Sequence, residues 1–325
     1  MKALDPVKDD DSQRGSAILM AMLIMALVTT MVATINWQQW QSIEVEVQDR
    51  KRTQSEWVIF GAIDWARLIL REDAKSGIID HLNEPWSIPL ERARLSSFLA
   101  FDNQDSLEAQ ASQKSFLSGQ IIDMQSKLNI NNLIRNGEIN IQARSAFLKL
   151  FKLLDIREVE LDQFCQTFLK AQKSLSINSE NIQNNLIPSR VSELGWLGMS
   201  SKTIKKIDPF VTVLPETTLV NLNTAPAEVI YALVPGLELI DAKFLISERE
   251  KTPFSNWAEI QSIKNKKSAL VSESLFSLNT NYFAILGIID LDSSKVHIRS
   301  LVKRSGLNVN IISSERGVDS LTKIY

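Results

Sequence analysis

At 325 residues, 44% of them hydrophobic and with only 11 glycines and 9 prolines, the chain is long enough for one large or two modest packed domains. Its 36 Lys and Arg against 38 Asp and Glu leave a formal net charge of −2, which excludes an overall basic field for attracting nucleic acid. A single cysteine excludes an intramolecular disulfide, and two histidines far apart, His81 and His297, leave little material for a zinc site or a Ser-His-Asp triad, so no enzymatic activity is expected.

Residues 1–15 are polar and include Asp9-Asp10-Asp11. Residues 16–35 then run as SAILMAMLIMALVTTMVATI, with no charge and no proline. As a helix this run spans roughly 30 Å, the thickness of a bilayer hydrocarbon core. A secretory signal has a shorter apolar core with its cleavage site behind it. Here Gln13-Arg14-Gly15 precedes the run, and this junction resembles a prepilin peptidase site cut between Gly15 and Ser16. Such a cut leaves the apolar helix on the mature protein; an ordinary signal anchor is the alternative reading of the segment. Trp37 and Trp40 fall where an interfacial aromatic belt is expected. Lys2, Lys8 and Arg14 on one side balance Arg50, Lys51 and Arg52 on the other, so charge does not set the orientation. No proline occurs between Pro6 and Pro85, and Trp57, Phe60, Gly61, Asp64, Trp65, Leu68 and Ile69 recur at three- and four-residue steps. The pattern predicts one helix from Ser16 to about Ala74, half in lipid and half packed through that face on a soluble domain.

Residues 79–90, with Pro85 and Pro89, read as a loop leading away from the helix. Residues 98–101 and 118–124 read as strands, residues 131–279 as a helical block, and residues 282–289 and 295–303 as closing strands. A sheet interrupted by a helical insertion is the arrangement expected. Cys165 lies in the amphipathic pattern LDQFCQTFL and is expected to be a buried, structural thiol.

Within the block, Thr224 is placed to cap a helix beginning near Ala225-Pro226, and Pro235-Gly236 turns the chain into a second helix over 241–249. This is a helix-hairpin-helix pattern, with a weaker copy from Val191 through Ile207. Such hairpins often bind phosphate through amides of a Gly-x-Gly turn. Here Glu238 stands where the second glycine would be. Between Glu216 and Glu250, the acids Glu216, Glu228, Glu238, Asp241, Glu248 and Glu250 face only Lys243 and Arg249. A segment at net −4 repels a phosphate backbone, so nucleic acid is not an expected partner and a packing or protein-contact module is.

Several segments in series resemble one family, the K-type minor pseudopilins of type II secretion (general secretion pathway protein K). They are the Gln13-Arg14-Gly15 junction with its apolar helix, GAIDWARLILRED from Gly61, DHLNEPW from Asp80, KLNINNL from Lys127, NLNTA from Asn221 and SLVKR from Ser300. The resemblance implies an α+β fold: a pilin-like long N-terminal helix packed on a small antiparallel sheet, with a large inserted all-α domain containing helix-hairpin-helix-like units. It implies a leader at 1–15, a transmembrane half-helix at 16–36, the periplasmic half-helix with the first part of the sheet at 37–130, an inserted α-domain at 131–279, and closing strands with a C-terminal tail at 280–325. The implied function is that of a minor pseudopilin, at the pseudopilus tip, helping to initiate or cap assembly for export of folded proteins. The implied partners are other minor pseudopilins in a tip complex, the major pseudopilin, prepilin peptidase and the bacterial inner membrane, with the bulk of the chain in the periplasm. A type IV minor pilin and a membrane-anchored hairpin receptor for DNA uptake are the alternatives. Relatives usually carry an acidic, calcium-linked stretch in the insert. Residues 170–189 here contain only Glu180 as an acid, so no cofactor is expected, and calcium is implied by the resemblance alone. In most such subunits the fifth residue after the cut is a glutamate that pairs with the terminal amine of the subunit ahead. Here it is Met20, so this chain carries no buried acid that demands a neighbour in front.

Overall fold

The computed structural model describes residues 11–94, 115–176, 187–262, 271, 273–291 and 294–317. By contact it divides into two units, Met1–Val58 and Ile59–Tyr325. Helix α1 runs without a break over Asp11–Ser76, 66 residues, in keeping with the absence of proline from this stretch. In the first unit the stretch Gly15–Arg50 has the length and composition to cross a membrane, with a mean hydropathy of 2.5 over its apolar window, none of which is buried. The hydroxyls of Thr29, Thr30 and Thr34 donate to carbonyls three or four residues back, so they add no unpaired donor to the apolar surface.

The second unit is built on a five-stranded antiparallel sheet in the order β1-β2-β9-β10-β11, with β1 Leu90–Arg94, β2 Ser115–Asp123, β9 Tyr282–Leu291, β10 Ser294–Ser305 and β11 Asn308–Gly317. The two strands expected on either side of the insertion, β2 and β9, are direct neighbours, paired from Ser115↔Leu291 to Asp123↔Phe283. The strand expected at 98–101 lies outside the described residues. Strand β11, beyond the last strand that the pattern singles out, closes a long hairpin through Gly306, whose φ of +58° suits the turn. Its edge is blunted: a register shift between Leu301 and Val302 breaks the ladder, and Arg67 of α1 donates to the Val309 carbonyl.

Between β2 and β9 lie α2 Ile141–Leu153, α3 Glu158–Ser176, α4 Ser201–Ile207, α5 Ala227–Leu233, α6 Leu239–Lys251 and α7 Trp257–Ser262. The block is not wholly helical. Two-residue strands β3 Leu128–Asn129 and β6 Val211–Thr212 pair in parallel, β4 Ile134–Arg135 and β5 Glu138–Ile139 pair antiparallel, and β7 Val220–Asn221 pairs in parallel with β8 Phe276–Ser277. The helices share one apolar core that includes Phe147, Phe151, Phe164, Phe168, Leu222, Ile230 and Phe276, all under 3% exposed. Cys165 belongs to it at 1% exposure, and burial pushes its thiol up to about 11. We expect Cys165 to resist aromatic disulfide reagents in the folded chain and to react stoichiometrically once denatured, as read by absorbance.

Candidate functional site

The three residues singled out at the N-terminus lie in the first unit on one helix. Gly15, Ser16 and Met20 are all exposed, and Ser16 and Met20, four residues apart, share a face of α1.

In the second unit α1 has two apolar faces. Ile59, Ile63, Ala66 and Leu70, at steps of four, three and four, are between 0% and 5% exposed and face the core. The set expected to pack inward instead points outward in this unit, from Phe60 to Leu68. Phe60 is 47% exposed, Trp65 44% and Leu68 55%, while Gly61 and Asp64 are exposed and Ile69 is half-buried; Trp57, which falls in the first unit, is 72% exposed. That expectation is corrected: the aromatic residues drew the reading to the wrong side of the helix, while the aliphatic ones form the seam. Gly61, Trp65 and Leu68, at i, i+4 and i+7, form a second stripe opposite the core. A Cβ added at Gly61 would meet nothing within 4 Å. The fold of this unit therefore has no use for a glycine there, although glycine in a helix interior costs about 1 kcal/mol relative to alanine.

The motifs scattered along the sequence meet beneath the sheet in one buried polar cluster. Arg304 of β10 forks between elements: Nη1 donates to Asp73 Oδ2 of α1 at 2.8 Å, and Nη2 donates to Asp80 Oδ1 and, at 2.9 Å, to the Thr280 carbonyl. Arg304, Asp73 and Asp80 are 7%, 9% and 1% exposed. Asp123, at the end of β2 and 2% exposed, accepts four hydrogen bonds: from Gln125 N and Thr280 Oγ1 at 2.7 Å, from Asn221 Nδ2 at 3.0 Å, and from Thr224 Oγ1 at 2.5 Å. Trp86 closes the cluster, with its indole N–H on Glu84 and its ring edge-on to Phe283 at 5.2 Å. Burial raises the Asp80 carboxyl to about 7, with the Arg304 charge and the Thr280 amide pulling it back. Burial likewise raises Asp73 and Asp123, opposed by Arg304 in the first case and by the four donors in the second.

The asparagines of the motifs act as backbone clamps. Asn129 Nδ2 donates to the Glu216 carbonyl at 2.7 Å while its Oδ1 accepts from Leu214 N, and Asn132 exchanges both bonds with Thr218. Asn223 exchanges both bonds with the backbone of Phe254, and Arg249 Nη1 donates to the carbonyls of Leu222 and Ala225. Arg249 is 8% exposed, and burial lowers its pKa to about 10. This basic residue of the hairpin is thus committed to the fold. The hairpin itself is present as α5 and α6, turned by Gly236 at φ +79°. Two details differ from expectation. Thr224 does not cap α5, because its hydroxyl is drawn to Asp123, 101 residues away, and Pro226 takes the N-cap position. Glu238, at the place of the second glycine, forms a capping box with Asp241 at the start of α6, which puts two acids where a phosphate would dock.

Among the described residues, Asp73, Asp80 and Glu84 bring three carboxylate oxygens within 4.8 Å of one another. The Arg304 guanidinium already lies between two of them, and calcium takes six to eight oxygens, so this donor set fits the guanidinium and not calcium. Glu180, the one acid of residues 170–189, lies outside the described residues.

A family model described as type II secretion system (T2SS), protein K, matches residues 220–278, which is the segment bracketed by the β7–β8 pair. The chain is 22% identical to the type II secretion system protein K of Pseudomonas aeruginosa, over 95% of this chain and 94% of that protein. It is also 22% identical to the Klebsiella pneumoniae protein of the same name, over 94% of this chain and 97% of that one. Its fold matches a chain in the crystal structure of the GspK-GspI-GspJ complex of the enterotoxigenic Escherichia coli type 2 secretion system, with a TM-score of 0.64 and 16% identity, over 84% of this chain and 99% of that chain. With its apolar N-terminal helix, its small antiparallel sheet and a helical insertion that carries the matched segment, the chain is similar along nearly its whole length to type II secretion system protein K.

Proposed function

We propose that the chain is a minor pseudopilin that joins other minor pseudopilins in a complex at the pseudopilus tip and helps to initiate or cap the fibre through which folded proteins are exported. The observation that carries this reading is the second apolar stripe of α1, Gly61, Trp65 and Leu68, which the chain's own core does not cover. A helix with an apolar face on both sides is built to pack twice. The GspK-GspI-GspJ complex supports the kind of partner, other minor pseudopilins. The role is assembly, not catalysis, and neither a cofactor nor nucleic acid takes part. Prepilin peptidase cuts between Gly15 and Ser16, the apolar helix stays in the bacterial inner membrane, and the bulk of the chain lies in the periplasm.

Met20 supports a position at the tip of the fibre. A carboxylate in lipid is stable only when paired, and a subunit with Met20 asks for no amine ahead of it while offering its own Ser16 ammonium to the subunit behind. Co-expression with the other minor pseudopilins is expected to yield a stable complex, and N-terminal sequencing of membrane-extracted protein is expected to begin at Ser16. Met20→Glu leaves a buried acid without a subunit ahead to neutralise it, so pseudopilus initiation and secretion are expected to fall. Unchanged secretion, or incorporation of the variant along the shaft, tells against the tip position, and retention of Met1 tells against processing.

A further inference from the structure

The Asp123 carboxylate bonds to both ends of the segment between β7 and β8, and Asp80 holds the entry through its main-chain carbonyl and the exit through its carboxylate. At its entry, Asn221 Nδ2 donates to the Asp80 carbonyl and to Asp123 Oδ2, each at 3.0 Å, and Thr224 Oγ1 donates to the same carboxylate oxygen. Just past its exit, Thr280 N donates to Asp80 Oδ2 and Thr280 Oγ1 to Asp123 Oδ1, each at 2.7 Å. The charged and titratable groups around this pair come from each neighbouring element: Asp73 from α1, His81 and Glu84 from the turn after it, and Arg304 from β10. β7, the turn after it and the residues leading into β9 border it with the neutral Asn221, Thr224 and Thr280. Fully ionised, the set holds four acids, Asp73 and Asp80 on the Arg304 guanidinium with Glu84 beside the first and Asp123 beside the second, and three of the four are buried. Buried carboxylates in excess of their counter-ions share a proton that exposed ones give up, and they titrate as a group.

We propose that this carboxylate set is a proton-sensitive clasp: while it retains a proton, both ends of the 220–278 segment are held against the sheet, and loss of that proton on alkalinisation loosens the segment from its seat. Burial moves Asp80 to about 7 from an ordinary carboxylate value. The folded state therefore binds more protons than the unfolded chain between about pH 4 and about pH 7, and its stability falls as pH rises through that window. His81, whose Nε2 lies 3.8 Å from Glu84 Oε1, is the necessary control.

The test is hydrogen–deuterium exchange on the full-length chain in detergent, between about pH 5.5 and about pH 8.5 and corrected for intrinsic rates, read at the amides of Asp80, Leu222, Ala225 and Thr280, which are bonded across or beside the clasp. Protection at these amides is expected to fall by about tenfold or more over that range while amides in the middle of β9 and β10 change by less than about twofold. Asp80→Asn is expected to flatten the profile and His81→Gln to leave it intact. Protection independent of pH in the unaltered chain overturns the proposal, and that measurement decides even if Asp80→Asn does not fold. A full pH response persisting in Asp80→Asn, or one abolished by His81→Gln, overturns it as well.

Discussion

Replacing Arg304 with methionine is expected to destabilise the second unit by about 3–5 kcal/mol, the usual effect of removing one partner from a buried ion pair. At roughly 2–4 °C per kcal/mol for a unit of this size, the melting temperature of the detergent-solubilised chain should fall by roughly 10 °C or more, as followed by tryptophan fluorescence. Methionine fills much of the same volume, so the loss reports the charge and not a cavity. What remains is Asp73 and Asp80, both buried, with the second keeping only the Thr280 amide as a donor. Arg304→Lys should recover only part of the loss, because a single ammonium cannot reach two carboxylates and the Thr280 carbonyl in the geometry of the planar fork. Asp73→Asn and Asp80→Asn added to Arg304→Met remove the orphaned charges and should restore part of the stability. The loss should also grow with pH, since protonated carboxyls have less need of the guanidinium. A change below about 1 kcal/mol at neutral pH would show that the carboxyls are neutral there, and that Arg304 serves as a hydrogen-bond donor and little more.

The contrast with the exposed pairs of α1 explains which charges matter. Arg50–Glu46 and Lys75–Glu72 are also close contacts, but all four side chains are about half exposed or more, and screening by water and salt leaves such pairs little net effect. Sequence spacing reveals these i,i+3 and i,i+4 pairs readily. It does not reveal Arg304–Asp73 or Arg304–Asp80, which join positions 231 and 224 residues apart.

The same division between local and distant causes governs what was legible. The length of α1 was, because an uninterrupted apolar run and a long stretch without proline are local facts. The alternation of β2, β9 and β10 was as well, and their pairing across the insert followed from it. The inward face of α1 was not legible, because a helix with apolar residues on two sides gives two periodic sets, and only the sheet decides between Ile59-Ile63-Leu70 and Gly61-Trp65-Leu68. Thr224 carried a sound local signal for a helix cap, and a buried carboxylate 101 residues away outbid it, since Asp123 without donors would be far worse off than an uncapped helix end. The resemblance picked out Asp80, Asn129, Asn221 and Arg304 inside their motifs without giving them a task. Polar residues recurring within apolar strings were the only hint that they meet. Asp123 and Thr280 stood in no motif, and no sequence signal pointed to them.

Gly61→Ala is expected to act in opposite directions on folding and on assembly. In the isolated chain the added methyl meets nothing within 4 Å, so the gain in helix propensity should raise stability by roughly 0.5–1 kcal/mol. In a complex where a sibling helix crosses over Gly61 at close range, the same methyl pushes that helix away. The small residue then has its reason outside the chain, and alanine should weaken association while leucine should block it. Leu68→Asp, one helical face-repeat along and 55% exposed, probes the same seam without touching the core, since an exposed leucine exchanged for aspartate has little effect on folding. A desolvated, unpaired carboxylate in a helix–helix seam should reduce co-purification with the other minor pseudopilins by about tenfold or more, which corresponds to about 1.4 kcal/mol or more of binding free energy. Thermal melting of each variant alone, set beside its yield in the complex, separates the two effects. If Gly61→Leu and Leu68→Asp both assemble as the unaltered chain does, the outer face of α1 is not the seam. If instead both lose stability on their own, the face is occupied by the chain itself. Only undiminished melting combined with lost assembly fits a helix that presents its second apolar side to a neighbour.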